Sequence, residues 1–258
     1  MIELVDTHNH LYLPEFENDR QEMVSAAIAA GVKKMYLPNV DMETLPQMME
    51  VVKTYPGTCF PMLGLHPTSV KENFEEVLEE MNTWLEKEKF VAIGETGIDL
   101  YWDKTFFKQQ VKSLKIQINW ALDNDLPLVI HSRNSTSEIT DLLEEYRGSG
   151  LKGVMHCFPG DVSQAEWFAD FGFLLGIGGV VTFKNSQMAK VVEALGAEHL
   201  ILETDAPYLA PVPYRGKRNQ PSYIPVIAEK VAELKNLPVE EIAKITTQNA
   251  FRLFKTTD

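Results

Sequence analysis

The run Pro127-Leu128-Val129-Ile130-His131 sets the pattern for the whole chain: unbroken apolar residues closed by one residue capable of chemistry. Such a run fits a strand covered on both faces, as in a parallel sheet packed between helices. Upstream, Phe107, Val111, Leu114, Ile118 and Ala121 recur at helical spacing. The same alternation extends in both directions, with strand-like runs at 3–6, 34–38, 59–65, 90–94, 127–131, 153–157, 173–177 and 199–203. Met23, Val24, Ala27 and Ile28 mark a helix ending at Gly31. Residues 206–221, with Pro207, Pro211, Pro213 and Pro221, read as a rigid loop. Two more helices follow, one through Ile224, Ile227, Ala228, Val231 and Leu234, the other over 239–254. Eight strands with intervening helices predict an α/β fold, a single-domain (β/α)8 TIM barrel over residues 1–258. A doubly wound open sheet is the rival, but no Gly-x-Gly-x-x-Gly follows the first strand.

Composition narrows the function classes. The 258 residues are 45% hydrophobic and 24% charged, which is ordinary globular usage. No apolar run approaches membrane-spanning length, and the first residues lack the basic start and apolar stretch of a signal peptide. With only Cys59 and Cys157, the chain is no disulfide scaffold, and a reducing cytoplasm is the expected location. A formal net charge of −13 disfavours a protein that wraps nucleic acid in a broad basic surface. The acidic stretch Glu72 to Glu86 keeps helical spacing at Val77, Leu78, Met81 and Leu85, so it reads as a solvated helix face.

Chemistry gathers at the strand ends. His8 and His10 follow the first strand, His66 the third, and Glu95 caps the fourth. His131 ends the fifth, His156 lies at the end of the sixth, and Asp205 caps the eighth. In a barrel these ends meet on one face, where active sites lie. Residues two apart in an extended segment project to the same side, so His8 and His10 can reach one ion together. His8, His10, Glu95, His131, His156 and Asp205 are too many ligands for one tetrahedral zinc. They suit two divalent ions, with Glu95 as the bridging carboxylate and Asp205 placed to accept a proton from an activated water. Imidazole with carboxylate suits zinc or manganese as the ion. His199, opening the eighth strand at the opposite face, reads as a structural residue, and Cys157 as core.

These residues lie in motifs that resemble the TatD family of metal-dependent hydrolases, within the amidohydrolase-like barrels. The matching segments are Asp6-Thr7-His8-Asn9-His10-Leu11, Leu63-Gly64-Leu65-His66-Pro67 and Ile93-Gly94-Glu95-Thr96-Gly97-Ile98-Asp99. Further matches are Leu128-Val129-Ile130-His131-Ser132-Arg133, Gly153-Val154-Met155-His156-Cys157-Phe158 and Leu202-Glu203-Thr204-Asp205-Ala206-Pro207-Tyr208-Leu209. Tyr214-Arg215-Gly216-Lys217-Arg218-Asn219 and Asn249-Ala250-Phe251-Arg252-Leu253-Phe254 complete the set. The resemblance implies a TIM barrel whose divalent metals are held by the same six residues. It implies deoxyribonuclease activity, including 3′–5′ exonuclease action on single strands, with D-aminoacyl-tRNA deacylation in some members.

The expected substrate is therefore a DNA end or single-stranded DNA, with no membrane and no obligate protein partner. Arg133 suits phosphate oxygens, and His66 is expected to donate to phosphate. Residues 206–228 contain no Asp or Glu but include Arg215, Lys217 and Arg218. Tyr208, Tyr214 and Tyr223 in that stretch are candidates for stacking on bases, and Asn219 for hydrogen bonding. Glu203, two residues before Asp205, is expected to support a ligand or relay protons. Gly176, Gly178 and Gly179 either bind phosphate through backbone amides or open the barrel mouth. The competing functions are a D-aminoacyl-tRNA deacylase or small-molecule amidohydrolase of the same fold, and a non-enzymatic metal-binding protein.

Overall fold

A computed structural model describes residues 2–256. Its eight strands stand in chain order: β1 (Leu4–Asp6), β2 (Val32–Pro38), β3 (Cys59–Leu63), β4 (Ala92–Asp99), β5 (Leu128–Arg133), β6 (Gly153–Met155), β7 (Phe173–Ile177) and β8 (Leu200–Leu202). Every neighbouring pair is parallel, and the sheet curls into a nearly closed barrel. The helices are α1 (Arg20–Ala29), α2 (Leu45–Thr54), α3 (Phe74–Lys87), α4 (Phe107–Asp123), α5 (Thr136–Glu144), α6 (Val162–Phe171), α7 (Gln187–Ala194), α8 (Ile224–Lys235) and α9 (Val239–Phe254). Among the described residues, no helix is long and apolar enough to cross a membrane.

Strand alternation divides the core in two. Leu37, Leu63, Ile93, Leu128, Met155 and Leu200 join the helix layer in the larger cluster. Their neighbours Tyr36, Met62, Ala92, Val129, Val154 and Ile201 form a separate cluster inside the barrel, together with Ala250, Leu253 and Phe254 of α9. The last turns of α9 thus pack against the barrel interior, where Phe254 stacks on Tyr36 with ring centroids 4.4 Å apart. With these side chains filling one part of the lumen, polar residues are left to gather at the other end.

The fourth strand departs from expectation, and the departure places Glu95. The apolar run suggested a strand ending at Gly94 with Glu95 as its cap, but β4 continues to Asp99. Between Ile93 and Thr96 its register against β5 slips by one residue: Ile93 faces Leu128, whereas Thr96 faces Ile130. An extra residue reverses which side the following side chains take. Ile98, like Ile93, therefore lies in the outer cluster although the two are an odd number of residues apart. Thr96 also points outward, accepting a 2.7 Å bond from Gln117 of α4. Glu95, Gly97 and Asp99 consequently face the lumen. Gly97 has φ +142°, and a Cβ there would lie 2.0 Å from the carbonyl oxygen of His131. Only glycine lets β4 and β5 approach this closely at that conformation.

The barrel closes between β1 and β8 without a regular ladder. Thr7 donates from its backbone N and from Oγ1 to the Leu202 carbonyl (3.0 and 2.9 Å), and one isolated bridge joins Asn9 to Ala206. Asp205 N donates to the His8 carbonyl (2.9 Å), and His10 N to that of Ala206 (2.8 Å). Asp6 ties the seam from inside: Oδ1 accepts from Thr204 N (2.9 Å) and His8 N (3.3 Å), and Oδ2 from the Thr204 hydroxyl (2.6 Å).

Removing this carboxylate strands buried donors, so Asp6→Ala is expected to cost about 2–4 kcal/mol in denaturant unfolding. A pH signature accompanies it. Burial pushes the Asp6 carboxyl up to about 7, against the lowering effect of the bonds from Thr204 and His8. The folded chain keeps this proton to higher pH than the unfolded chain, whose Asp titrates near the ordinary value of about 4. Its contribution is therefore full below that value and lost as pH rises to about 7. Stability of the wild type should fall more steeply across that window than that of Asp6→Asn, and equal slopes would refute the assignment.

Candidate active site

The polar end of the lumen opens into a pocket of about 740 Å³ whose lining includes His10, His66, Glu95, Asp99, His131, His156 and Asp205. His8 is fully buried below it. Glu95 lies at the centre. Its Oε2 is 3.1 Å from His8 Nε2 and 3.8 Å from His10 Nε2. Its Oε1 is 3.0 Å from His131 Nδ1, 3.4 Å from His66 Nε2 and 3.9 Å from His156 Nε2. Asp205 Oδ1 faces the same space, 3.5 Å from His10 Nε2, 3.7 Å from His156 Nε2 and 3.9 Å from His8 Nε2. The six sequence-predicted metal ligands are thus brought together from five strands and the residues just after them.

The opposite nitrogen of most of these rings is held from behind, which fixes what each ring offers. The Tyr12 hydroxyl donates to the Pro38 carbonyl, so it accepts from His10 Nδ1 at 2.9 Å and leaves a lone pair on Nε2. Glu203 Oε1 lies 3.0 Å from His156 Nδ1 and also accepts from Cys157 N. Asp99 Oδ2 lies 2.9 Å from His131 Nε2. His66 is built the other way round: Thr68 N donates to its Nδ1 (3.2 Å), which keeps the proton on Nε2. That ring presents a hydrogen-bond donor, unlike the lone pair of His10.

Electrostatics support the same division. Burial raises the Glu95 carboxyl, but His66, His8 and His156, with the bond from His131, outweigh it and hold it well below the carboxylate range. Asp205 is likewise lowered against burial, chiefly by His156 and His10. Burial lowers His8, and the stacked His156 ring (centroids 3.5 Å apart) adds to this, so His8 is a neutral donor. His156 is pushed up to about 10 despite burial because Glu203, Glu95 and Asp205 surround it. The carboxylates thus draw positive charge into this space, and a divalent cation answers the same demand. Three overlapping groups, His8–His156–Asp205, His8–His10–Glu95 and His66–Glu95–His131, have ligand atoms within 4.8 Å of one another. Imidazole and carboxylate donors, with the far nitrogens of His10, His131 and His156 facing oxygen partners, fit a metal site. The donor proton on His66 disfavours that ring as a ligand.

Glu203 is fully buried beneath His156, as a supporting residue would be. Gly176 serves it: a Cβ at Gly176 would lie 2.3 Å from its carboxylate, so this glycine makes room for Glu203, while a Cβ at Gly179 would strike the Leu209 carbonyl. Arg133 and Tyr208 line the pocket. Cys157, expected in the core, is only partly buried and also lines it, with burial pushing its thiol well up.

The loop after β8 is where the expectations fail. Asn219 is fully buried, donating to the carbonyls of Thr204 and Tyr208 (both 2.7 Å), so its amide braces the loop and offers nothing to a substrate. Arg218 is paired with Asp19 and the Glu15 carbonyl and lies over Phe16. Arg215 rests on the Phe183 ring, 4.5 Å from its centroid, outside the pocket lining. Tyr214 and Tyr223 stack on each other at 4.0 Å. Two contributors went unread in the sequence: Tyr12, whose signal is the same two-residue step that joins His8 to His10, and Asp99. The spacing of Asp99 from Glu95 puts both on one side of a strand once the register slip precedes them.

Comparison with known proteins identifies the family. The sequence profile of the family described as TatD related DNase matches residues 5–255. A Bacillus subtilis (strain 168) protein described as uncharacterized metal-dependent hydrolase YabD is 39% identical over 253 residues, covering 98% of this chain and 99% of the relative. The crystal structure of YjjV, a TatD homologue from Escherichia coli K12, superposes with a TM-score of 0.92 at 31% identity, covering 98% of both chains. A TatD family hydrolase from Entamoeba histolytica shares the fold, with a TM-score of 0.88 at 23% identity and full coverage of both chains. With a family match from one end of the barrel to the other, this chain belongs to the TatD-related DNase family of metal-dependent hydrolases.

Proposed function

We propose that the protein is a deoxyribonuclease that hydrolyses phosphodiester bonds at single-stranded DNA ends in the 3′–5′ direction. The carrying observation is Arg133, which lines the mouth of the pocket whose floor gathers the metal donors and forms no ion pair among the described residues. A guanidinium left open beside such a floor suits a phosphate oxygen. His8, His10, Glu95, His131, His156 and Asp205 would hold two divalent ions, zinc, manganese or magnesium. Bound there, the ions supply Lewis acidity at the phosphoryl group and lower the pKa of water. The chain's own residues do the rest. Asp205, anionic at neutral pH, accepts the proton of the attacking water. Glu95 fixes the relative positions of five imidazoles. Nε2–H of His66 donates to a non-bridging phosphate oxygen, and Arg133 orients the phosphate from the rim.

Metal-stripped protein reloaded with a single cation should release nucleotides from a labelled single strand. Asp205→Asn should lower kcat by at least about 100-fold while leaving the folded structure intact by circular dichroism. Hydrolysis of D-aminoacyl-tRNA without nucleotide release would overturn the nuclease reading in favour of the deacylase. Glu95→Ala is expected to lose at least one ion per chain in elemental analysis, and an unchanged stoichiometry would remove its bridging role.

A further inference from the structure

The rim beside Arg133 carries two aromatic side chains with no place in the core. Immediately after β4 the chain turns through Tyr101 and Trp102, 54% and 68% exposed, and Trp102 lines the metal-donor pocket. Exposing this much aromatic surface at a pocket mouth is unfavourable unless something covers it in use. The turn is held in place. Asp99 Oδ1 accepts from the backbone N of Tyr101 (2.9 Å) and of Trp102 (3.1 Å), while its Oδ2 engages His131. One carboxylate therefore sets both an imidazole of the floor and the aromatic rim.

Arg133 belongs to the same unit. Its guanidinium carbon lies 3.8 Å from the Tyr101 ring centroid and 5.3 Å from that of Trp102. Stacking on the rings fixes the guanidinium plane while leaving its donors free. Aromatic faces beside an open guanidinium, above a floor that calls for cations, match one chemical object: a planar base attached to a phosphate. Across the mouth, four strands away in the barrel order, exposed Tyr208 and Leu209 line the opposite side.

We propose that Trp102, with Tyr101 and Arg133, forms a stacking subsite for the nucleobase adjoining the phosphate under attack. The subsite rests on the DNA reading above and sharpens it, since it recognises any base by its face and selects nucleotides over other phosphate esters. Trp102→Ala should raise KM for a single-stranded oligonucleotide about tenfold with kcat within about twofold, and Trp102→Phe should retain most of the affinity. An oligonucleotide whose last two nucleotides are abasic should lose a similar factor with the wild type and little more with Trp102→Ala. In parallel, deoxyadenosine monophosphate should quench tryptophan emission of the metal-loaded wild type, and Trp102→Phe should abolish that quench. Cleavage with an unchanged KM in Trp102→Ala overturns the subsite and leaves the nuclease reading standing. A quench lost in Trp102→Phe, without DNA cleavage by the wild type, keeps the subsite and overturns the nuclease reading. Absence of both removes the two together.

Discussion

The seam between β1 and β8 is the constraint on which the rest depends. These strands share no ladder, so the barrel is shut by their last residues and those just beyond: Asp6 and Thr7 on one side, Leu202, Thr204, Asp205 and Ala206 on the other. The same bonds carry His8 and His10 to Asp205, because His8 O accepts from Asp205 N and His10 N donates to Ala206 O. Closure and the alignment of donors are one event. A substitution that loosens the seam would move three of the six donors at once, even if it touched none of them.

The architecture was legible because parallel strands buried on both faces must be apolar throughout, and short apolar runs between helical spacings stand out. The seventh strand matches its apolar run, residues 173–177, to the residue. β4 and β5 run on past theirs where polar residues continue the ladder, as Ser132 and Arg133 do, whereas β3, β6 and β8 stop short of theirs as the chain turns into the site loops. The apolar run gives only an incomplete reason for the place of Glu95. A carboxylate after an apolar run suggests a cap, whereas the one-residue slip in β4 turns it inward and carries the strand on to Asp99. Gly94 and Gly97 mark the irregular stretch, but glycine alone does not reveal which side the next residue faces.

The loop after β8 shows the opposite failure. Its three cations and three tyrosines, free of acids, carry the composition of a nucleic-acid surface. Composition is blind to partners distant in sequence: Arg218 meets Asp19, Arg215 meets Phe183, and Tyr214 meets Tyr223. A proline-rich loop without regular hydrogen bonding needs such anchors to hold one conformation, and Asn219, with both amide donors on loop carbonyls, is one of them. Tyr208 alone of the tyrosines lines the pocket.

This redistribution alters what a net charge of −13 means for the proposed substrate. With Arg218 neutralised and Arg215 outside the pocket, Arg133 is the cation that the lining presents to an incoming strand. Affinity for a polyanion through released counterions grows with the number of phosphates contacted, and one arginine contacts few. Binding must then come from the pocket itself, through the metal donors, the His66 proton and the aromatic faces. Those contacts are confined to the barrel mouth and reward a flexible end that can enter it. A continuous duplex lying across an acidic surface gains none of them, so the acidity that excludes a broad nucleic-acid surface is compatible with an enzyme that works on ends.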